Sequence, residues 1–582
     1  LNLFSPEGRP GIARTGASSW RQVDEASPVW LAAATEAWQG FPFREMVASG
    51  WHLFILGDAS LRIPSPLTSD ELNRQVSLQT GSFLIFGWEA AAHTWHAWTD
   101  RFGTLHAYHA WDGRRAALGT FSPAVAAAAS QRKLDWEALA GWFAFGFFPA
   151  DRTHYSDVRL LRPASHYTFD RAGRLLSQER YWQWQHHPDE KRTVEDTLSA
   201  FGEVFGTVMS DALAQGRVAL PLSGGLDSRA TLAALTPALA SSGRVWGYSY
   251  GYDRRSVETR IARRLAAVRR LPFEEFVIQP YLFDQIEPLL AYTEGFQDIT
   301  QARQMGVRDE IAAHADALVA ALWGDVWLDE RGLSGKPGAE EDQVLRHALK
   351  KVHKPGGWLL QQLALPRLHQ GSAQELLEAF VSSELQPLAH LAEPDFRVKA
   401  YKTEQWSFRW SIPPTRVFQS AAWPRKIFYD TRLADFFATV PTKYLAGRKL
   451  QIDYLKRFAP DLARVPWQVY DADLFHYQHF NTWLVPRRAV KKGWRMLTRQ
   501  KVLERNWEVQ FLSPTGRAGL APLRHGRPGR RTGPGGPARC GRGRARCSRL
   551  CKVSLPSAHH PSTAPRAPRA RAAAGIPGGR DD

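Results

Sequence analysis

The segment VALPLSGGLDSRATLAAL, residues 218–235, opens with an apolar run, passes through serines and glycines, and returns to an apolar pattern at helical spacing. It reads as a buried strand over 218–222, a tight turn over 223–227 and a helix starting near Ser228. Gly224 and Gly225 carry no Cβ, so the backbone of this turn can come close to a bound group. Its amides, with a helix start behind them, form a nest for an anion. Ser223 and Ser228 add hydroxyl donors. Asp227 is the odd member, because a carboxylate beside a phosphate is repulsive unless a cation lies between them. Asp227 therefore points to Mg²⁺ on a polyphosphate. The bland alternative is a plain strand–turn–helix with an Asp near the helix start.

Working outward, residues 194–213 read as a helix leading into this strand. RVWGYSYGYD (244–253) reads as a second strand, followed by a helix with Ser256 as N-cap. FEEFVI (273–278) is a third strand, helices follow near 282–292 and 304–315, and ALVAAL (317–322) is a fourth strand. Strand and helix alternate at the spacing of an open parallel sheet covered on both faces. Ligands bind outside the carboxyl ends of such strands. The loops after Leu222, Tyr250 and Leu322 are therefore expected to share one pocket. Upstream, residues 81–120 alternate apolar and polar positions, with Asp112-Gly113 as a turn. That pattern reads as hairpins of an antiparallel sheet.

LSGGLDSR resembles the pyrophosphate loop of the asparagine synthetase family, within the ATP pyrophosphatases that adenylate a substrate. It is not a Walker A loop, since no Gly-Lys-Ser/Thr follows. The likeness runs over roughly residues 1–480. TDRFGTLHAYHA (99–110) is similar to the family's DRFG strand pair, and RYWQW (180–184) closes that domain. WGDVWLDE (323–330) resembles the segment carrying an Asp-Glu pair, with one extra residue after Gly324. PRKIFYDTRLADFFATVP (424–441) is similar to the family's C-terminal helical segment.

The resemblance implies an α/β multi-domain chain. Residues 1–185 would form an N-terminal-nucleophile-type antiparallel β-sandwich with helices, truncated at its start. Residues 190–510 would form a parallel-sheet, adenine nucleotide α-hydrolase-like synthetase domain. ATP and pyrophosphate would lie on Leu222, Ser223, Gly224, Gly225, Asp227, Ser228, Tyr250, Gly251, Trp323 and Gly324. Asp227 and Asp329 would hold Mg²⁺ through the pyrophosphate, and Asp325 and Glu330 would be catalytic. The implied activity is amide-bond formation from a small carboxylate and a nitrogen donor, with aspartate to asparagine as the family default.

Three departures stand out. The glutamine-handling motifs HRGPD and NGEIYN have no counterpart over residues 1–79, so the sandwich is expected to be a scaffold without glutaminase activity. Asp100 and Arg101 are then a structural turn pair. The family's Lys that steadies the adenylate is absent from RVPWQ (464–468), with Arg448 and Lys449 as possible substitutes and a solvated basic turn as the bland reading.

Of the net charge of +18, the residues from 514 onward carry +13, with fifteen Lys and Arg against two acids. The remaining +5 is ordinary for the body, which disfavours nucleic acid as a partner. The Arg/Gly/Pro/Ala-rich stretch over 514–582 is expected to be disordered, or out-of-frame. All three cysteines (Cys540, Cys547, Cys551) lie there without a paired metal motif. No apolar run reaches the ~18–20 residues of a membrane span, and LNLFSPEGRPG is loop-like rather than a signal peptide. A cytoplasmic protein, a homodimer by family habit, is expected. Alternatives are a macrolactam cyclase, a catalytically silent binding protein and an RNA-modifying pyrophosphatase.

Overall fold

Strand Trp51–Gly57 shows how the first domain is built. Its side chains are buried on both faces. Leu53 and Ile55 pack with Leu72 and Val76 of the helix Ser69–Ser77, while Phe54 and Leu56 meet a second sheet through Leu118 and Leu161. The period of two along one strand thus feeds two cores. In this computed structural model the described residues are 2–4, 19–22, 30–33, 41–62, 67–333, 340–349, 357–368, 372–482, 485, 505–514 and 516–519. The tail beyond 519, with Cys540, Cys547 and Cys551, lies outside them, as does most of the segment before residue 41.

The strands are β1 (Asn2–Phe4), β2 (Ser19–Gln22), β3 (Trp30–Ala33), β4 (Phe43–Ala48), β5 (Trp51–Gly57), β6 (Phe83–Glu89), β7 (Thr94–Thr99), β8 (Tyr108–Trp111), β9 (Ala116–Gly119), β10 (Val158–Leu160), β11 (Ser165–Phe169) and β12 (Leu175–Arg180). They form two six-stranded antiparallel sheets, ordered β10-β8-β9-β1-β3-β2 and β12-β11-β7-β6-β5-β4. The outer face of the first is covered by helices Ser122–Ala129 and Trp136–Phe145, through Tyr108, Ala110 and Ala117. Helix, sheet, sheet and helix make four layers. The antiparallel pairing expected from the hairpin pattern is present.

Five further strands follow: β13 (Val218–Pro221), β14 (Val245–Gly251), β15 (Phe273–Val277), β16 (Ala317–Ala320) and β17 (Trp423–Lys426). They form one parallel sheet ordered β15-β14-β13-β16-β17. Val218 and Leu220 face the helix Val194–Leu213, whereas Ala219 faces the opposite layer with Ile311 and Phe418. The order reverses on either side of β13, so its carboxyl end is a switch point. One element differs from the likeness of residues 424–441 to a helical segment. WPRK forms β17, because pairing with β16 at the sheet edge, where Pro424 is tolerated, outweighs local pattern.

β17 also joins the parallel sheet to the sandwich, both of which lie within one unit, Leu1–His525. Trp423 Nε1 donates to Asp58 (2.8 Å), and Lys426 Nζ donates to Ser82 Oγ (3.1 Å). Burial pushes Lys426 down to about 8, against the pull of Asp100 and Asp58. Asp100 is a turn residue, as expected. It accepts from the amides of Phe83, Phe102 and Thr104 and from the Thr104 hydroxyl (2.7 Å). Arg101 adds a role across the interface, pairing with Asp435 and lying 4.7 Å over the Trp182 ring.

Within the sandwich, His96 and His166 share a hydrogen bond of 2.9 Å and stack on Trp98. Burial pushes both down, His96 to about 3 and His166 to about 4. The unfolded chain takes up these protons near pH 6.5 while the folded chain does not, so stability falls as pH drops from 6.5 toward 4. The expected slope is about 1.4 kcal/mol per pH unit for each histidine. Chemical denaturation between pH 7 and pH 5 measures it, and the double variant His96→Asn, His166→Gln is expected to show a shallower slope than the parent.

Candidate active site

The loop after β13 closes on itself through its serines. Ser223 N donates to Ser228 Oγ (3.0 Å), the two hydroxyls lie 2.9 Å apart, and Gly225 N donates to Ser223 Oγ (3.2 Å). Leu222 is fixed beneath, its amide on Tyr248 O (2.8 Å). The hydroxyls read as ligand donors therefore first shape the turn. Helix Asp227–Ala233 is only seven residues long, so its dipole is a weak source of positive charge. The charge comes instead from a distant segment. Arg448 forms an ion pair with Asp227, and Gln451 Nε2 donates to the same carboxylate oxygen (3.0 Å). Burial raises the Asp227 pKa and nearby Asp325 adds to the rise, while Arg448 and Gln451 oppose it.

Gly324 brings the second loop in. A Cβ there would lie 2.7 Å from the Asp227 carboxyl carbon and 2.7 Å from the Phe428 ring, so only glycine lets the loops after β13 and β16 touch. Trp323 has a φ of +78° and starts the one-turn helix Gly324–Trp327; its Nε1 donates to Thr403 Oγ1 (3.0 Å). Gly224 packs under Gln468, whose Cβ would be 2.7 Å from an added Cβ. Gly251 packs instead against Ser256 and Thr259 of the next helix. Ser256 stands at that N-cap, but its side chain makes no capping bond. The Tyr250 hydroxyl, pushed up to about 12 by burial, faces Arg303 and Tyr252.

The acidic residues of the 323–330 loop divide. Asp325 is exposed and its charge reaches Asp227 and Tyr429. Asp329 accepts from Glu330 N (3.0 Å) and acts on Lys399, a buried ammonium 3.2 Å from Asp395. The carboxylate that the structure couples electrostatically to Asp227 is thus Asp325. Glu330 is half-buried in the same loop. Among the described residues no group of three or more His, Cys, Asp or Glu side chains could hold a metal by itself. The donor set instead fits a divalent ion that arrives on a polyphosphate, with Asp227 as its protein carboxylate. Arg448 Nε and Gln451 Oε1, both buried and without a hydrogen-bond partner among the described residues, lie at the same place.

Arg448 and Lys449 are separated by the geometry. Lys449 is exposed and pairs with Asp453 along its own helix, leaving Arg448 as the cation at the loop. Sequence reading missed Gln451, Gln468, Lys399 and Arg229. Arg229 is fully buried and donates to Leu462 O (3.2 Å), Val465 O (2.7 Å) and Pro466 O (2.9 Å). It ties the segment 462–466 to the helix that carries Asp227. The available signal was a single basic residue in the helix Asp227–Ala233, directly behind the turn.

No family model matches the chain, and no curated protein matches it. Among solved structures, one described as the allosteric regulatory enzyme of purine biosynthesis is similar at 11% identity, with a TM-score of 0.15 over 37% of this chain and 51% of that one. Glutamine phosphoribosylpyrophosphate amidotransferase from B. subtilis, complexed with ADP and GMP, is similar at 10% identity, with a TM-score of 0.18 over 44% and 52%. The chain thus spans about half the length of either. At these TM-scores neither likeness carries weight for the site.

Gly324→Ala is the direct check on the contact between loops. The added methyl must displace Asp227, which Arg448 and Gln451 hold, or the Phe428 ring. Overpacking of this kind costs about 1–3 kcal/mol, and a matching loss in unfolding free energy by denaturant titration is expected.

Proposed function

We propose that the chain is an ATP-dependent ligase that joins a small carboxylic acid to a nitrogen donor, releasing pyrophosphate and AMP. The observation that carries this reading is the Ser-Gly-Gly-Leu-Asp-Ser loop at the carboxyl end of β13, the switch point of the parallel sheet. Gly324 touches its aspartate and Arg448 neutralises it.

In this reading a carboxylate oxygen of the acid attacks the α-phosphorus of ATP. The bond from that phosphorus to the bridging oxygen breaks, and its electron pair leaves with pyrophosphate. The nitrogen donor then attacks the acyl carbon, AMP departs, and the nitrogen gives up a proton. Asp325, exposed beside Asp227, is the carboxylate assigned to take that proton. The loop orients the phosphates and Arg448 offsets their charge, which is catalysis by positioning and electrostatics. Mg²⁺, when bound with the nucleotide, supplies further charge neutralisation next to Asp227. Trp323 and Gly324 border the nucleotide, as do Tyr250 and Gly251 on the other side. Aspartate is the default acid by resemblance, and ammonia or an amine is the donor. The sandwich acts as a scaffold in this reading.

ATP–pyrophosphate exchange on the full chain, with carboxylic acids added in turn, tests it. Exchange that requires one acid and falls at least 100-fold in Asp227→Ala is expected, from the loss of one electrostatic group at the reacting centre. If the folded chain neither exchanges nor binds Mg·ATP, the ligase reading is wrong and a silent binding protein replaces it.

A further inference from the structure

Gly447 and Arg448 both lie in the left-handed region, with φ of +61° and +62°. Glycine adopts it freely, but arginine is strained there. The two residues turn the chain sharply before the helix Lys449–Phe458. The consequence is a choice between neighbours: Arg448 turns inward to Asp227, and Lys449 turns outward to Asp453. Gln451, one turn along the helix and fully buried, reaches the same Asp227 oxygen. Arg448 still has an unused buried Nε and Gln451 an unused Oε1. A guanidinium offers five N–H donors in a planar fork, which matches phosphate oxygens.

The charge at the loop makes this contact more than a structural clip. Among the described residues, Arg448 is the cation whose field acts on Asp227. At residues 464–468, where the resembling family carries a lysine, Gln468 packs on Gly224 and its amide donates to Gly224 O (3.3 Å). No positive charge comes from Gln468. A leaving pyrophosphate must meet one, since charge builds on the bridging oxygen as its bond to the α-phosphorus breaks.

We infer that Arg448 is the pyrophosphate-binding cation of this site. It exchanges Asp227 for a phosphate oxygen when the nucleotide enters, and so replaces the lysine missing from 464–468. The inference rests on the ligase reading. No proton is transferred: Arg448 donates N–H bonds to pyrophosphate oxygens, and the electron pair of the broken bond stays on pyrophosphate. Asp227 then serves two states, holding Arg448 without nucleotide and facing the metal-bearing phosphates with it.

The test separates these roles by removing the metal. Binding of inorganic pyrophosphate to the full chain is measured calorimetrically in EDTA, for wild type, Asp227→Asn, Arg448→Met, Arg448→Lys and Asp227→Asn with Arg448→Met. Freed from its carboxylate, Arg448 in Asp227→Asn is expected to bind metal-free pyrophosphate about tenfold more tightly than wild type. Arg448→Met is expected to bind about tenfold more weakly, Arg448→Lys to recover part of the loss, and the double variant to match Arg448→Met. If Asp227→Asn binds no more tightly than wild type, the inference is overturned, while acid-dependent exchange by wild type would leave the ligase reading standing. If Arg448→Met does not fold, the wild type and Asp227→Asn pair decides alone. If wild type binds neither Mg·ATP nor pyrophosphate, both readings fall together.

Discussion

A carboxylate pressed between two loops and largely shielded from water has to be neutralised, and the parallel-sheet half is arranged around that need at Asp227. Burial alone drives its pKa upward, which would favour a neutral acid with no use to a cation. Arg448 and Gln451 hold the charged form by an ion pair and a hydrogen bond. Both belong to the start of the helix Lys449–Phe458, more than two hundred residues away in sequence. The helix is held in turn by Leu450, Ile452, Tyr454 and Leu455 in the core. One carboxylate therefore ties the first loop of the sheet to the last helical layer. The apolar stripe that docks the helix is what keeps Arg448 in reach.

Arg229 works in the same direction from below. A buried guanidinium without a carboxylate partner is costly, and burial lowers its pKa to about 10. Three backbone carbonyls at Leu462, Val465 and Pro466 offset that cost. They also fix the turn that sets Gln468 on Gly224. The helix Asp227–Ala233 thus carries two anchors, Asp227 toward Arg448 and Arg229 toward the 462–466 carbonyls. The turn that leads into this helix is thereby held at its far end by two fixed side chains.

Much of this fold could be read from the chain, and the exceptions have physical causes. The helix Val194–Leu213 and strands β13, β14 and β16 appear where apolar periodicity put them, because each buries a continuous stripe, and β15 follows by pairing with β14. β17 did not, since Trp423, Pro424, Arg425 and Lys426 have no strand period of their own. They become a strand by pairing with β16 and by docking Trp423 and Lys426 on the sandwich. Ser-Gly-Gly-Leu-Asp-Ser was legible as a tight turn carrying an acid. The choice between Arg448 and Lys449 was not, because one left-handed φ decides which side chain faces inward. The pairing of Asp227 with Asp325 depends on how far a one-turn helix carries each acid, and spacing in sequence does not encode that.

The edge strand β17 gives the two domains a shared mechanical element. Its backbone belongs to the parallel sheet, while Trp423 and Lys426 reach Asp58 and Ser82 in the sandwich. Directly after it, Phe428 packs against the Gly324 position and its carbonyl accepts from Trp327 Nε1 (3.1 Å). A shift of the sandwich would therefore move β17, then Phe428, then the loop that meets Asp227. Lys426 makes that route stiff, because a buried ammonium flanked by Asp100 and Asp58 cannot slide without leaving charges unpaired. The sandwich therefore bears on the loop geometry through this strand, as it does through the Trp184 ring, whose centroid lies 5.6 Å from that of Trp327.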